Sequence, residues 1–537
     1  MLEYFLTNKY DNKIALINND KSYTYCELKA IISYFIEKIK NRNQNIVIST
    51  SDNFLFVIYF FASLFCNKNI YLLSDSRKIK NLNFEYALCD DIELKSLNSY
   101  IYPEIDINKP SINFYTSGSA SEPKIIKKSL FNLIKEAEDI NGTFNFSDKN
   151  YEVFSTTSMC HMFGMTFHLM VPFVSGLIIN TAKISYPENF NKDNSIIVST
   201  PSFLNSVLKY DISFKKSPCC IISAGSKLDE NTFSHLEKSS KIIEIYGSTE
   251  TGVIAYKNHY SDDFSIFKNV ELEVNEDNIE VKSDYFYDKK AVLNDCIEIH
   301  NQKLTIKRRT DRLFKIQEKR VSAEDLEEKL KKNDFIDNCY IIKNNDKLAC
   351  LCALSESGKD YFIKNDIVML TKHLKQYLFK YSEVIPQKWK YIDEIPLTQQ
   401  GKVNKEIINH IFNTNLSLPL ILKRKISKDS ITYTILFYRQ CNFFKGHFDS
   451  LHLVPGVLQL YLAKELANFH FGLNLGMGQW KRIKFTNMIQ PDDIVELKLE
   501  KDDKSVAYEY LKNDKKCSSG IFLCENIFEN AMKKGLL

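Results

Sequence analysis

The 537-residue chain is too long for one ordinary domain and predicts two to four. Its 44% hydrophobic and 26% charged content is that of a globular protein. Lys plus Arg number 71 against 67 Asp plus Glu, and a net charge of +4 gives no footing for nucleic-acid binding. The 13 cysteines are scattered, with no Cys-x-x-Cys pair, and read as free thiols in a reducing cytoplasm rather than a disulfide scaffold or a zinc ribbon.

In chain order, Met1-Leu-Glu-Tyr4 lacks the basic start and small-residue cleavage site of a signal peptide. A strand is predicted at 45–49. The longest apolar run, 54–66, is too short to span a bilayer and reads as a buried helix leading into a strand at 69–73. Next comes Tyr115-Thr-Ser-Gly-Ser-Ala-Ser-Glu-Pro-Lys124. Hydroxyls and backbone N–H groups in such a loop suit a polyphosphate, and the lysine supplies charge. It lacks the Gly-x-x-x-x-Gly-Lys-Ser/Thr spacing of a Walker loop, and a plain turn is the alternative. The basic clusters at 124–128 and 423–425 read as solvated faces or local phosphate contacts. Helical patterning follows at 131–140. His161 lies in Ser158-Met-Cys-His-Met-Phe-Gly164, where a lone histidine beside Met and Phe suits a core or a pocket equally.

Strands at 195–199 and 218–223 lead to Ala224-Gly225-Ser226. Short β-rich runs alternate with helical stretches to about residue 300, an α/β pattern. Tyr246-Gly-Ser-Thr-Glu250, taken alone, is an ordinary loop with capping residues. Arg309-Thr-Asp311 runs on through Lys315 to Arg320, followed by helical patterning at 326–330. Pro396-Leu-Thr-Gln-Gln-Gly-Lys402, taken alone, is a surface lysine after a turn. The stretch 413–429 starts polar, turns apolar and ends basic, as expected of a linker partly packed on a neighbour. Beyond it stand Phe443-Phe-Lys-Gly-His447-Phe448 and Pro455-Gly-Val-Leu-Gln-Leu460. The segment 457–466 is apolar on nearly every face and predicts a helix buried on most sides.

The four segments at 115–124, 246–250, 309–320 and 396–402, in this order, resemble the core motifs of the adenylate-forming superfamily, which includes acyl- and aryl-CoA synthetases, peptide adenylation domains and luciferases. The resemblance covers about residues 1–412. The region from 430 resembles the hot-dog fold of 3-hydroxyacyl carrier-protein dehydratases, aryl polyene type. It rests on the two motifs around His447 and Pro455, with 483–485 and 490–497 fitting later strands. The fold class expected is therefore α/β and α+β multidomain. It comprises a large adenylate-forming domain at 1–310, a small mobile lid at 311–412, a linker at 413–429 and a hot-dog domain at 430–537.

The resemblance implies ATP-dependent activation of an aryl or fatty carboxylic acid to an acyl-adenylate, then thioester formation on acyl carrier protein or CoA. Thr116, Ser117, Gly118, Ser119 and Lys124 would hold the departing phosphates. Ala224, Gly225, Ser226, Tyr246 and Gly247 would wall the adenine, and Asp295 and Arg309 would take the ribose. Thr249 would touch the α-phosphate, Glu250 would bind Mg²⁺, His161 would line the acid pocket, and Lys402 would bridge acid and α-phosphate from the lid. The family usually has glycine where Ser121, Arg308 and Glu318 stand, and Glu318 would crowd a pantetheine tunnel. No Asp stands in 163–169 to anchor an amino group. In the dehydratase-like region His447 matches the family histidine, but Tyr461 stands where a carboxylic acid is expected. A phenol with a reference pKa near 10 is a poor general acid, so weak or absent dehydration is expected. That unit would instead bind acyl chains or pair the chain as a homodimer. The rival readings are a bifunctional synthetase–dehydratase and a non-enzymatic carrier-protein scaffold.

Overall fold

Among the described residues, alternation of short apolar strands with capped helices builds two large sheets in the first part of the chain, beside a small three-stranded one over 271–293. The structure, a computed structural model, describes residues 8–73, 87–88, 105–109, 111–116, 124–147, 149–209, 217–274, 279–293, 295–309, 312–316, 319–398, 402–414, 417–427, 429–444, 452–471, 473, 475–476, 480–502 and 504–524. For 87, 116, 209 and 307–309 only the backbone is described. Contacts divide the chain into two compact units. One is Met1–Thr310 with Leu397–Lys402, and the other is Asp311–Pro396 with Val403–Leu537.

In the first unit a five-stranded sheet runs Ala87–Leu88, Asn45–Ile48, Asn69–Leu72, Ile112–Thr116, Lys124–Lys128. The last two strands form an antiparallel hairpin and the others pair in parallel. An eleven-stranded sheet has Glu152–Ser155, Ser195–Ser199, Cys220–Ala224 and Lys241–Ser248 as parallel neighbours. Ser195–Ser199 and Cys220–Ala224 are buried at every residue, as parallel strands covered on both faces must be. Antiparallel strands Gly252–Lys257, Phe264–Ile266, Lys303–Arg309 and Asp295–His300 extend this sheet to one edge.

The run 54–66 falls in helix Asn53–Phe65, buried at every position and capped by Asp52, whose carboxylate accepts from the N–H groups of Phe54 and Leu55. Helix Leu130–Phe144 begins with a reciprocal cap. The Ser129 hydroxyl accepts from Asn132 N–H at 3.2 Å, and the Asn132 side chain accepts from Ser129 N–H at 2.9 Å. Among the described residues no helix is long and apolar enough to cross a membrane.

In the second unit, strands Ile336–Asn344, Lys347–Leu354 and Lys388–Ile392 form a three-stranded sheet, packed with helices Ala323–Lys331 and Glu356–Phe379. A six-stranded antiparallel sheet follows, ordered Leu420–Ser427, Ser430–Phe437, Asp493–Lys501, Ser505–Lys512, Lys515–Leu523, Trp480–Phe485. Helix Gly456–Phe471 lies against it through Gln459, Leu460, Ala463, Lys464 and Ala467, a single stripe. This corrects the expectation of burial on most sides for 457–466. One sheet covers one face of a helix, and Val457 is 72% exposed.

Two basic clusters also depart from expectation. Within 124–128, Lys124 is exposed but Lys128 is wholly buried. Within 423–425, Arg424 is drawn in by Asp393 and Glu394. Residues 420–427, inside the segment read as a linker, form the edge strand, and Leu420 and Leu436 also share a core with Ile316, Leu370 and Leu374.

Candidate active site

The two ends of the 115–124 motif lie on neighbouring antiparallel strands. Thr116 pairs with Lys124 across Ile112–Thr116 and Lys124–Lys128, so the two ends of the motif are adjacent. Ser117, Gly118, Ser119 and Ser121, and the side chain of Thr116, lie outside the described residues. The Lys124 ammonium is 3.8 Å from Glu250 Oε1, with the two side chains 64% and 39% exposed. A pair so open to water contributes less than about 1 kcal/mol by itself. Its significance is that it brings the first and second motifs together.

The parallel register Ala224↔Ile245 places Ala224, Gly225 and Ser226 beside the residues leading into Tyr246. Gly225 has φ +103, a backbone that side chains disfavour. These groups leave the carboxyl ends of parallel strands, where open α/β sheets take ligands. His161 leaves the same edge, shortly after Glu152–Ser155. It is half-buried, its N–H donates to Ser158 O at 3.2 Å, and it opens the short helix Met162–Gly164.

Tyr246 and Asp295, predicted to serve adenine and ribose, meet directly: the phenol donates to Asp295 Oδ2 at 2.6 Å. Asp295 is in turn the cross-strand partner of Arg309, whose side chain lies outside the described residues. Gly247 admits no side chain, since a Cβ there would stand 2.3 Å from Gly252 O. The turn that follows is tied by hydroxyls. Ser248 and Thr251 exchange backbone N–H to Oγ bonds at 3.2 Å in both directions. This holds Thr249 and Glu250, both half-buried, at the tip.

Leu397–Lys402 associates with the first unit. Thr398 N–H donates to Lys402 O at 2.6 Å, and Lys402 N–H donates to Thr398 Oγ1 at 3.3 Å, closing the turn. The exposed Lys402 places its Cε 3.9 Å from where a Gly225 Cβ would stand.

Sequence reasoning missed a buried charge behind the turn. Lys128 donates to Tyr285 O at 2.7 Å and Glu250 O at 3.4 Å. Glu136 accepts from Val253 N–H at 2.7 Å and from the Thr166 hydroxyl at 3.2 Å. Burial pulls the Lys128 ammonium down to about 8, opposed by the Glu136 and Glu250 carboxylates. Strand alternation carried the signal, because 126 and 128 share a face and Ile126 is apolar.

Residues 68–277 match the model of the AMP-binding enzyme family, and 423–521 match that of the ApeI-like family, described as ApeI dehydratase. The two matches lie in separate parts of the chain. A D-alanine–D-alanyl carrier protein ligase of Listeria innocua is 34% identical over 109 residues, 20% of this chain and 21% of that protein. The chain thus spans about a fifth of the length of the first curated relatives it matches. The ligase of the same name from Lactococcus lactis is 23% identical over 75% of this chain and 97% of its own.

Among solved structures, ATP-bound MatB from Rhodopseudomonas palustris superimposes with a TM-score of 0.64 at 13% identity, over 76% of this chain and 98% of that one. A benzoate CoA ligase from Burkholderia xenovorans gives 0.61 at 14%, over 76% and 98%. At these identities the likeness shows the fold, that of adenylate-forming ligases. The ApeI-like region, an antiparallel sheet packed on one helix, is the C-terminal hot-dog domain. In that domain Tyr461 is half-buried on the helix under the Lys464 ammonium, and Gln459 is fully engaged by Val454 O and the Ser518 hydroxyl. His447 and Glu318 lie outside the described residues.

Proposed function

We propose that this chain activates a small carboxylic acid with ATP and passes the acyl group to a thiol of an acyl carrier protein or CoA. A carboxylate oxygen attacks the α-phosphorus, the bond to the bridging oxygen breaks, and pyrophosphate leaves with the electron pair. The thiol then attacks the acyl carbon and AMP departs. Two anions must meet in the first step, so the site needs cations and oriented donors.

The observation carrying this reading is the Lys402 stem beside Gly225 at the carboxyl ends of the parallel strands. From there its ammonium bridges acid and α-phosphate, a role suited to a compact charge on a flexible stem. The Tyr246 ring packs on adenine, with Ala224, Gly225, Ser226 and Gly247 completing the wall. Asp295, oriented by the Tyr246 phenol, accepts ribose hydroxyls together with Arg309. Thr116, Ser117, Gly118, Ser119 and Lys124 take the leaving phosphates, Thr249 the α-phosphate, and His161 lines the acid pocket.

Glu250 fits a magnesium ion. Its carboxylate is a hard oxygen donor, 39% exposed at a tied turn, and so open to a hydrated ion held largely by phosphates. The ion would supply charge neutralisation on those phosphates.

Carrier ligases among the relatives favour a carrier protein over CoA as acceptor, and the lid is residues 311–412. The ApeI-like domain binds acyl chains and pairs the chain as a homodimer, which the exposed Val457 face supports. The lack of a membrane-spanning helix among the described residues suits a cytoplasmic enzyme.

The test is one incubation series with ATP and Mg²⁺, offering aryl acids, fatty acids and D-alanine with CoA or carrier protein, and following acyl thioester by mass. An aryl or fatty thioester on the carrier protein is expected. Loading of D-alanine alone would overturn the substrate class. A 3-hydroxyacyl carrier protein added to the same enzyme is expected to stay unchanged, and loss of water would favour the bifunctional reading.

A further inference from the structure

The pair behind the nucleotide turn is an unusual use of buried charge. Lys128 is 0% exposed and Glu136 1%. The two charges offset each other through space without a direct ion pair, and such buried charges contribute little net stability, because removing both from water costs about as much as their attraction returns. Their bonds, however, go to particular backbone groups. The Lys128 ammonium reaches the carbonyl of Glu250 itself, and that of Tyr285. Glu136 holds the N–H of Val253, immediately beyond the turn, and lies where a Cβ on Gly252 would stand 2.6 Å from its Oε1. Gly252, at φ +71, therefore lets the turn settle directly on this carboxylate.

The elements explain why these groups converge. Lys128 ends the hairpin that carries the 115–124 loop, and the next residue, Ser129, caps helix Leu130–Phe144. Asn132, Glu136 and Asp139 lie on one face of that helix at spacings of four and three. Asn132 donates to Asp284 O at 2.7 Å, and Asp139 accepts from the Tyr285 phenol. The hairpin, the helix and the 284–286 segment are thus joined behind Glu250.

We propose that Lys128 and Glu136 are positioning residues that hold the Ser248–Gly252 turn in register with the phosphate-loop hairpin, so that Thr249 and Glu250 meet MgATP already ordered. This rests on the adenylate-forming reading and adds to it two residues that touch neither nucleotide nor acid.

The test compares wild type, Lys128→Met, Glu136→Met and the double variant by melting temperature, by binding of a fluorescent ATP analogue with Mg²⁺, and by amide hydrogen exchange over 246–253. Lys128→Met leaves Glu136 without its opposing charge, so this single variant is expected to melt early. The double variant removes both charges and is expected to recover most of the melting temperature. It is nevertheless expected to bind MgATP about tenfold more weakly and to exchange faster at Thr251 and Val253. A double variant with wild-type affinity and protection would reduce the pair to a fold element and overturn the inference. A wild-type chain that binds no MgATP would sink the activating reading, and the inference with it. The two failures are distinguishable because only the second appears before any substitution is made.

Discussion

The Tyr246–Asp295 bond is the most informative single contact in the candidate site. It links residues nearly fifty positions apart that sequence reasoning had assigned separately to adenine and ribose. A hydrogen bond from a phenol to a carboxylate is worth about 1.5–3 kcal/mol net. Tyr246→Phe keeps the ring and loses the bond. Under the proposed function it should raise the apparent KM for ATP about tenfold while leaving KM for the acid within about twofold, read by steady-state pyrophosphate release. Equal rises in both would remove Asp295 orientation as the role of the phenol. Lys128 shows the limit of residue-level reading. A lysine in a basic run looks solvated, and only its place in the alternation, on the face of Ile126, says otherwise.

At the scale of elements, strand Leu420–Ser427 serves two cores. It opens the six-stranded sheet by pairing with Ser430–Phe437, and Leu420 also packs with the core of the preceding three-stranded sheet. Arg424 adds an ionic tie, with its Nε 2.6 Å from Asp393 Oδ2. Burial raises the Asp393 carboxyl, opposed chiefly by Arg424, so the arginine keeps a poorly hydrated charge in place. Arg424→Met should lower the stability of this unit by about 2 kcal/mol, less than the ~3–5 of a fully buried pair because the arginine stays partly wet. Adding Asp393→Asn should recover part of it, measured as coupling in a denaturant-melting double-mutant cycle. Additive losses would mean that the tie carries no energy.

Much at this scale was legible. The runs 54–66, 131–140 and 195–199 coincide with a helix, a helix and a strand, because burial on one face leaves a helical period while burial on all faces, or on both faces of a sheet, leaves an unbroken apolar run whose length separates helix from strand. The helix over 457–466 was legible as an element but not in its burial. Apolar content says what a helix would cover, whereas the fold supplies only one sheet to cover it.

At the scale of the molecule, the two matched regions do not coincide with the two compact units. The AMP-binding region lies within the first. The second combines 311–396 with the ApeI-like region, and 397–402 associates with the first. Neither composition nor periodicity carries that partition, because it depends on distant segments sharing one core, as those of Leu420 and Ile316 do. Several residues of the four motifs do converge in space. Tyr246 meets Asp295, Lys124 approaches Glu250, and Lys402 reaches Gly225. Under the proposed function these groups activate an acid and Lys402 bridges the reacting anions. The most direct measurement is acid-dependent ATP–pyrophosphate exchange by the full chain and by Lys402→Ala. Exchange is expected with one acid class, with a loss of at least about a hundredfold in the variant and its melting temperature unchanged. Exchange at the wild-type rate in Lys402→Ala would contradict it.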